Sequence, residues 1–166
     1  MNEIKKVDFD TKDKFYNYLN IKLMGLVSSE EDVLANLSNA SAFFNLLLDN
    51  INWVGFYLYK NDELVLGPFQ GKPACTHIEM GKGVCGTTAK SLETQLVPDV
   101  HEFPGHIACD SASQSEIVIP LVQNGKLVGV LDIDSPIKNR FDEEDQIGLE
   151  KAVETLNKYV NISQIL

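Results

Sequence analysis

The sequence predicts an α+β fold, with a central antiparallel sheet, helices on one face and an irregular loop region over the other. Three observations carry this expectation. Apolar residues follow the helical period at both ends of the chain, β-type runs lie between them, and an Asn124-Gly125 pair separates two apolar runs near the C-terminal end.

The elements follow in order. From Asp10 to about Gly25, the residues Phe15, Tyr18, Leu19 and Leu23 recur at helical spacing, and Gly25 offers a stop. Ser29-Glu-Glu-Asp32 supplies an N-cap with acids in the first turn. Val33, Leu34, Leu37, Ala40, Phe44, Leu47 and Leu48 then continue one apolar stripe to Asn50. After Asn52 the period changes to two. Trp53 to Tyr59, a polar turn at Lys60-Asn-Asp-Glu63, and Leu64 to Phe69 read as a hairpin whose first strand carries Trp53, Tyr57 and Tyr59 on one face. Residues 70–115 are broken by Gly71, Pro73, Gly81, Gly83, Gly86, Pro98, Pro104 and Gly105. A short helix is predicted from Gly86 to Ser91, and a short strand from Gln95 to Asp99. Glu116 to Val122 and Leu127 to Asp134 form the second hairpin. Phe141-Asp142-Glu-Glu-Asp145 caps a last helix with a stripe of Ile147, Leu149, Val153, Leu156 and Val160.

Composition bounds the function. A chain of 166 residues with 44% hydrophobic content suits one core, so residues 1–166 are read as a single domain. A net charge of −10 argues against nucleic acid or an anionic membrane surface as partner. No apolar run approaches the roughly 20 residues of a membrane span, and Met1-Asn-Glu-Ile-Lys-Lys lacks a secretory core, so the expected location is the cytoplasm. Three cysteines without an export signal read as reduced, reactive thiols and not as a disulfide framework.

The chemistry concentrates between Cys75 and Asp134, which holds all three cysteines and all three histidines. Thiolates are favoured at helix N-termini and beside donors; Cys85 stands where a helix can start, and Cys109 stands near His106. Zinc is the competing reading, but Cys75-Thr-His77 has poor spacing and no Cys-x-x-Cys occurs, so no metal is expected. No Gly-x-Ser-x-Gly and no phosphate loop is present. Asp132 and Asp134 leave one face of a strand, the face expected to carry Val128 and Val130 as well. Two carboxylates among apolar residues are either an exposed strand end or a pocket wall. The simplest hairpin register pairs Glu116 with Ile133, on the opposite face. A bulge near Pro120 would bring Glu116 to the side of the two aspartates. Thiols, carboxylates and an aromatic wall suit a small polar ligand bearing an amine and a sulfur or apolar tail.

Trp53-Val-Gly-Phe-Tyr57, Gly67-Pro-Phe-Gln-Gly-Lys-Pro-Ala-Cys75, Gly83-Val-Cys-Gly86, His106-Ile-Ala-Cys109-Asp110, Ser115-Glu-Ile-Val and Gly129-Val-Leu-Asp-Ile-Asp-Ser135 closely resemble the free methionine-(R)-sulfoxide reductases, single-domain enzymes of GAF fold. The resemblance implies an oxidoreductase acting on free L-methionine-(R)-sulfoxide, with a loop-covered pocket and no bound cofactor. It implies Cys109 as nucleophile, passing through a sulfenic acid, and Cys75 as resolving thiol in a Cys75–Cys109 disulfide that thioredoxin reduces. Cys85 matches the third family cysteine, as an alternative resolver or a pocket thiol. Glu116, Asp132 and Asp134 match the pocket acids, and Trp53 and Tyr57 the aromatic wall. A homodimer is a further expectation by resemblance. The rival readings are a GAF-type module that senses a small ligand or redox state without turnover, and a disulfide switch, which leaves the three acids unexplained.

Overall fold

The computed structural model describes residues 4–107 and 110–166, so Cys109 lies outside the described residues. Two helices open the chain. In α1 (Lys12–Val27), the Thr11 hydroxyl accepts from the Lys14 amide as N-cap. Gly25 is not the stop, because it lies inside the helix with open space around it. The buried stripe is Tyr16, Leu19, Leu23 and Val27, one residue round from the Phe15 and Tyr18 positions that the sequence suggested. In α2 (Val33–Leu47), Asp32 is the N-cap and accepts from the Ala35 amide at 2.8 Å. Phe43 joins the buried stripe, and Leu34 faces solvent.

The sheet has six strands, all neighbours antiparallel, in the order β3-β2-β1-β6-β5-β4. Its strands are β1 (Trp53–Lys60), β2 (Glu63–Gln70), β3 (His77–Glu79), β4 (Gln95–Val97), β5 (Ser115–Gln123) and β6 (Lys126–Ser135). The sequence did not predict β3, a three-residue edge strand too short to show a period. The final helix α4 (Glu143–Tyr159) starts on a reciprocal capping box between Asp142 and Asp145. Ile147 is exposed and Gly148 takes the inward place, because the Tyr16 ring occupies the volume that a Cβ would need.

Each strand alternates between two cores. The helix-side core joins Leu19, Leu23, Leu37, Phe44, Leu149 and Leu156 to Val54, Phe56, Leu58, Ile117, Leu131 and Ile133. The opposite side gathers Trp53, Tyr57, Val118 and Val130 with Val84, Cys85 and Ala89 of α3 (Gly83–Ser91). Helices therefore do not keep to one face: α3 lies with the loops, since its short apolar stripe has only that second core to fill.

The β5–β6 register decides where the acids point. The hairpin begins with Gln123 opposite Lys126 and Val122 opposite Leu127, then shifts so that Leu121 pairs with Gly129 and Glu116 with Asp134. A bulge is present, but its extra residue is Val128 on β6, while Pro120 pairs in register with Val130. Val128 consequently faces the helix-side core and does not share the face of Val130 and the aspartates. The bulge brings Glu116 to the same side as Asp132 and Asp134.

Candidate active site

Across the three central strands, Trp53, Asp134 and Glu116 stand side by side in one row, and Gly55, Asp132 and Val118 in the next. Gly55 is required there: a Cβ would collide with Phe69 and lie 2.7 Å from the Trp53 ring. That ring stacks between Phe69, at 5.3 Å, and Tyr57, at 5.9 Å. Trp53 and Tyr57 wall a cavity with about 510 Å³ of open space including its mouth, floored by Cys85, Glu116, Asp132 and Asp134. The first turn of α3 closes one side, with Lys82, Gly83 and Val84, and His106 and Ile107 stand at the rim.

Glu116 and Asp132 are buried and Asp134 is half-buried, and desolvation governs their charge. Desolvation, reinforced by the Asp132 charge, pushes Glu116 and Asp134 well above the usual carboxylate range. Asp132 is also raised by desolvation, but only to about 6, because the Cys85 thiol and the Glu116 carboxyl both hydrogen-bond to it. Asp132 is thus the acid of the three that ionises most readily, and Glu116 and Asp134 are pushed toward their neutral forms. One oxygen of Asp132, Oδ1, has no hydrogen-bond partner among the described residues, which is costly unless a ligand supplies the donor. Cys85 is the free cysteine among the described residues, and burial together with the facing acids keeps its thiol protonated.

A metal could be considered, since the Cys85 sulfur and oxygens of Glu116 and Asp132 lie within 4.8 Å of one another. Ligation would require the thiol and both acids to ionise in a buried pocket, which the same desolvation opposes.

Cys75 is half-buried beside the cavity and is disulfide-bonded. Its loop is seated on the aromatic wall. The Tyr57 hydroxyl donates to the Cys75 carbonyl at 3.0 Å, and the Trp53 indole N–H donates to the Lys72 carbonyl at 3.1 Å. A second cluster braces the rim: Asn52 Nδ2 donates to Asp110 and to the Ser113 hydroxyl at 3.1 Å each, and Lys72 approaches Asp110 at 3.5 Å.

The structure thus brings Trp53, Tyr57, Cys85, Glu116, Asp132 and Asp134 around one cavity, with Cys75 at its edge. Sequence reasoning did not single out Lys82, Asn52, Asp110 or Ser113 as site residues. Asp110 and His106 stood inside a motif already notable for its density of reactive types; Asn52 and Ser113 carry no signal short of the fold. His77 and His101 are exposed and pair with Glu63 at 2.8 Å and Asp99 at 2.9 Å, away from the cavity.

Residues 33–160 match the GAF domain family. The free methionine-R-sulfoxide reductase of Escherichia coli is 52% identical over 147 residues, covering 89% of this chain and 89% of that protein. The chain belongs to the free methionine-R-sulfoxide reductases. It is an oxidoreductase on a GAF scaffold. Another reductase of that name, from Saccharomyces cerevisiae, is 46% identical over 155 residues, with 89% of this chain and 86% of that one covered. The free methionine-R-sulfoxide reductase of Neisseria meningitidis, solved in complex with its substrate, superposes with a TM-score of 0.92 at 40% identity. That match covers 99% of this chain and 98% of that one. Membership in these reductases agrees with a cavity that joins three acids to an aromatic wall.

Proposed function

We propose that this protein reduces free L-methionine-(R)-sulfoxide to methionine through cysteine chemistry, and that thioredoxin recycles it. The observation that carries the reading is the convergence of Glu116, Asp132 and Asp134 on one cavity, beside a disulfide-bonded cysteine. Asp132, as the carboxylate with a vacant acceptor, takes the substrate ammonium. The substrate carboxylate lies toward Lys82 and the first turn of α3, which no side chain caps. Trp53 and Tyr57 seat the S-methyl group.

The thiolate of Cys109 attacks the sulfoxide sulfur while Glu116 or Asp134, held protonated by burial, gives a proton to the sulfoxide oxygen. Oxygen passes to the cysteine, the cysteine sulfur is oxidised by two electrons, and methionine leaves. Cys75 then attacks the sulfenic sulfur, forming the Cys75–Cys109 disulfide and releasing water. That Cys75 is disulfide-bonded while Cys85 is a protonated thiol supports Cys75 as the resolving residue. Thioredoxin returns both thiols by disulfide exchange.

We further read residues 1–166 as one catalytic domain acting in the cytoplasm; among the described residues no helix is long and apolar enough to cross a membrane. Exposed Ile21 and Met24 on α1 and Ile147 on α4 support a homodimer through the helical layer, which light scattering would test.

The deciding experiment is thioredoxin-coupled NADPH oxidation with the free R epimer, the free S epimer and a sulfoxide-containing peptide. Turnover confined to the free R epimer, and lost in Cys109→Ser, is expected. Binding of the R epimer without turnover would favour the ligand-sensing reading instead.

A further inference from the structure

Both aromatic residues of the cavity wall spend their polar atom on the loop that carries Cys75. The Tyr57 hydroxyl donates to the carbonyl of Cys75 itself at 3.0 Å, and the Trp53 N–H donates to the carbonyl of Lys72 at 3.1 Å. The loop is fitted to this seat from the other side too. Gly71 has φ +135, and a Cβ there would stand 2.6 Å from the Trp53 ring and 2.8 Å from the Asn52 carbonyl. The strand end beyond the loop is pinned where the Leu66 amide donates to the Thr76 carbonyl at 3.0 Å. Tyr57 is buried at 1% exposure, and its phenol is kept protonated by desolvation and by the Asp132 charge, so it is a fixed donor at any pH that the protein tolerates.

We infer that Tyr57 and Trp53 are positioning residues for the resolving step, holding the Cys75 backbone where its sulfur can reach a sulfenic acid, in addition to walling the substrate cavity. The inference rests on the reading of Cys109 as nucleophile and Cys75 as resolver. In that step the Cys75 sulfur attacks the sulfenic sulfur, a sulfur–sulfur bond forms, the sulfur–oxygen bond breaks, and hydroxide leaves as water with one proton. A loop free to wander would make this an encounter between poorly aligned groups; two fixed hydrogen bonds convert it into a near-attack arrangement.

The test separates the two chemical steps. Reduced wild type, Tyr57→Phe and Gly71→Ala are mixed with one equivalent of free methionine-(R)-sulfoxide, and methionine release is followed by quench and disulfide formation by loss of titratable thiol. Dimedone traps any sulfenic acid that persists. Tyr57→Phe keeps the ring and deletes only the donor, so disulfide formation is expected to slow about fivefold relative to methionine release, the equivalent of one ordinary hydrogen bond. Dimedone adduct on Cys109 should rise accordingly. Gly71→Ala, which changes no pocket side chain, is expected to shift the same ratio. An unchanged ratio of the two rates in both variants overturns the inference while leaving the reductase reading intact. No methionine release from wild type overturns that reading itself, and the inference with it.

Discussion

Asp132 ties stability to pH. Its folded pKa of about 6 exceeds the ordinary value of 3.8, so the folded state binds more protons than the unfolded chain between those limits. Stability therefore falls as pH rises through that window and stays reduced above it. Asp132→Asn removes the buried charge; it is expected to raise the melting temperature at pH 8 and to change it far less at pH 4, as scanning calorimetry would read. The same substitution should raise KM by about tenfold, since the vacant acceptor for the ammonium is weakened. Glu116 carries the same sign of linkage, because desolvation and Asp132 hold its folded pKa well above the ordinary value. Glu116→Gln is expected to cut kcat/KM by about a hundredfold, the lower range of general-acid contributions, and likewise to raise the melting temperature at alkaline pH. Cys85 should resist alkylation by N-ethylmaleimide at pH 7 in the reduced, folded protein, while Cys75 labels; mass spectrometry of the digest distinguishes the two.

At the scale of elements, α1 and α4 are joined by a buried polar knot. The Asp145 carboxylate accepts from the Tyr16 hydroxyl at 2.7 Å, from Lys12 at 2.7 Å and from the Asp142 amide at 3.0 Å, with Arg140 at 3.4 Å. Because Gly148 makes room for the Tyr16 ring, Gly148→Ala should push the two helices apart. We expect a loss of about 3 kcal/mol, or roughly 10 °C in melting temperature, with the kinetic constants of the surviving folded protein retained. The cap of α4 was legible beforehand because caps are local chemistry, and Asp142 stands where acids precede an apolar period; in α2 the cap is Asp32, three residues after the Ser29 to which the sequence pointed. The facing of each helix was not. Periodicity in α1 and α4 fits a stripe containing Phe15 or Ile147 nearly as well as the true one, and only the Tyr16 ring against Gly148 selects between them.

For the whole molecule, one sheet serves two cores of different purpose. Ile133 lies between Asp132 and Asp134 on β6 but belongs entirely to the helix side. Ile133→Ala is expected to cost about 3 kcal/mol in urea unfolding while KM stays within about twofold. Truncating Trp53, which stands opposite Asp134 on the pocket side of the sheet, should instead raise KM strongly, because that ring both walls the cavity and supports the loop.

Read alone, the residues determined the hairpins, the cap of the last helix, the aromatic face of Trp53 and Tyr57, and the association of thiols with acids. Each of these is a short-range property, carried by a period of two, a turn pair or a residue type. Only the tertiary structure decided that the bulge falls at Val128, that Glu116 therefore joins Asp132 and Asp134, and that Asn52 and Ser113 brace the rim. It alone also decided that burial shifts all three acids upward, Asp132 least. Register, burial and mutual electrostatics are set by contacts between segments distant in the chain, so no local pattern encodes them.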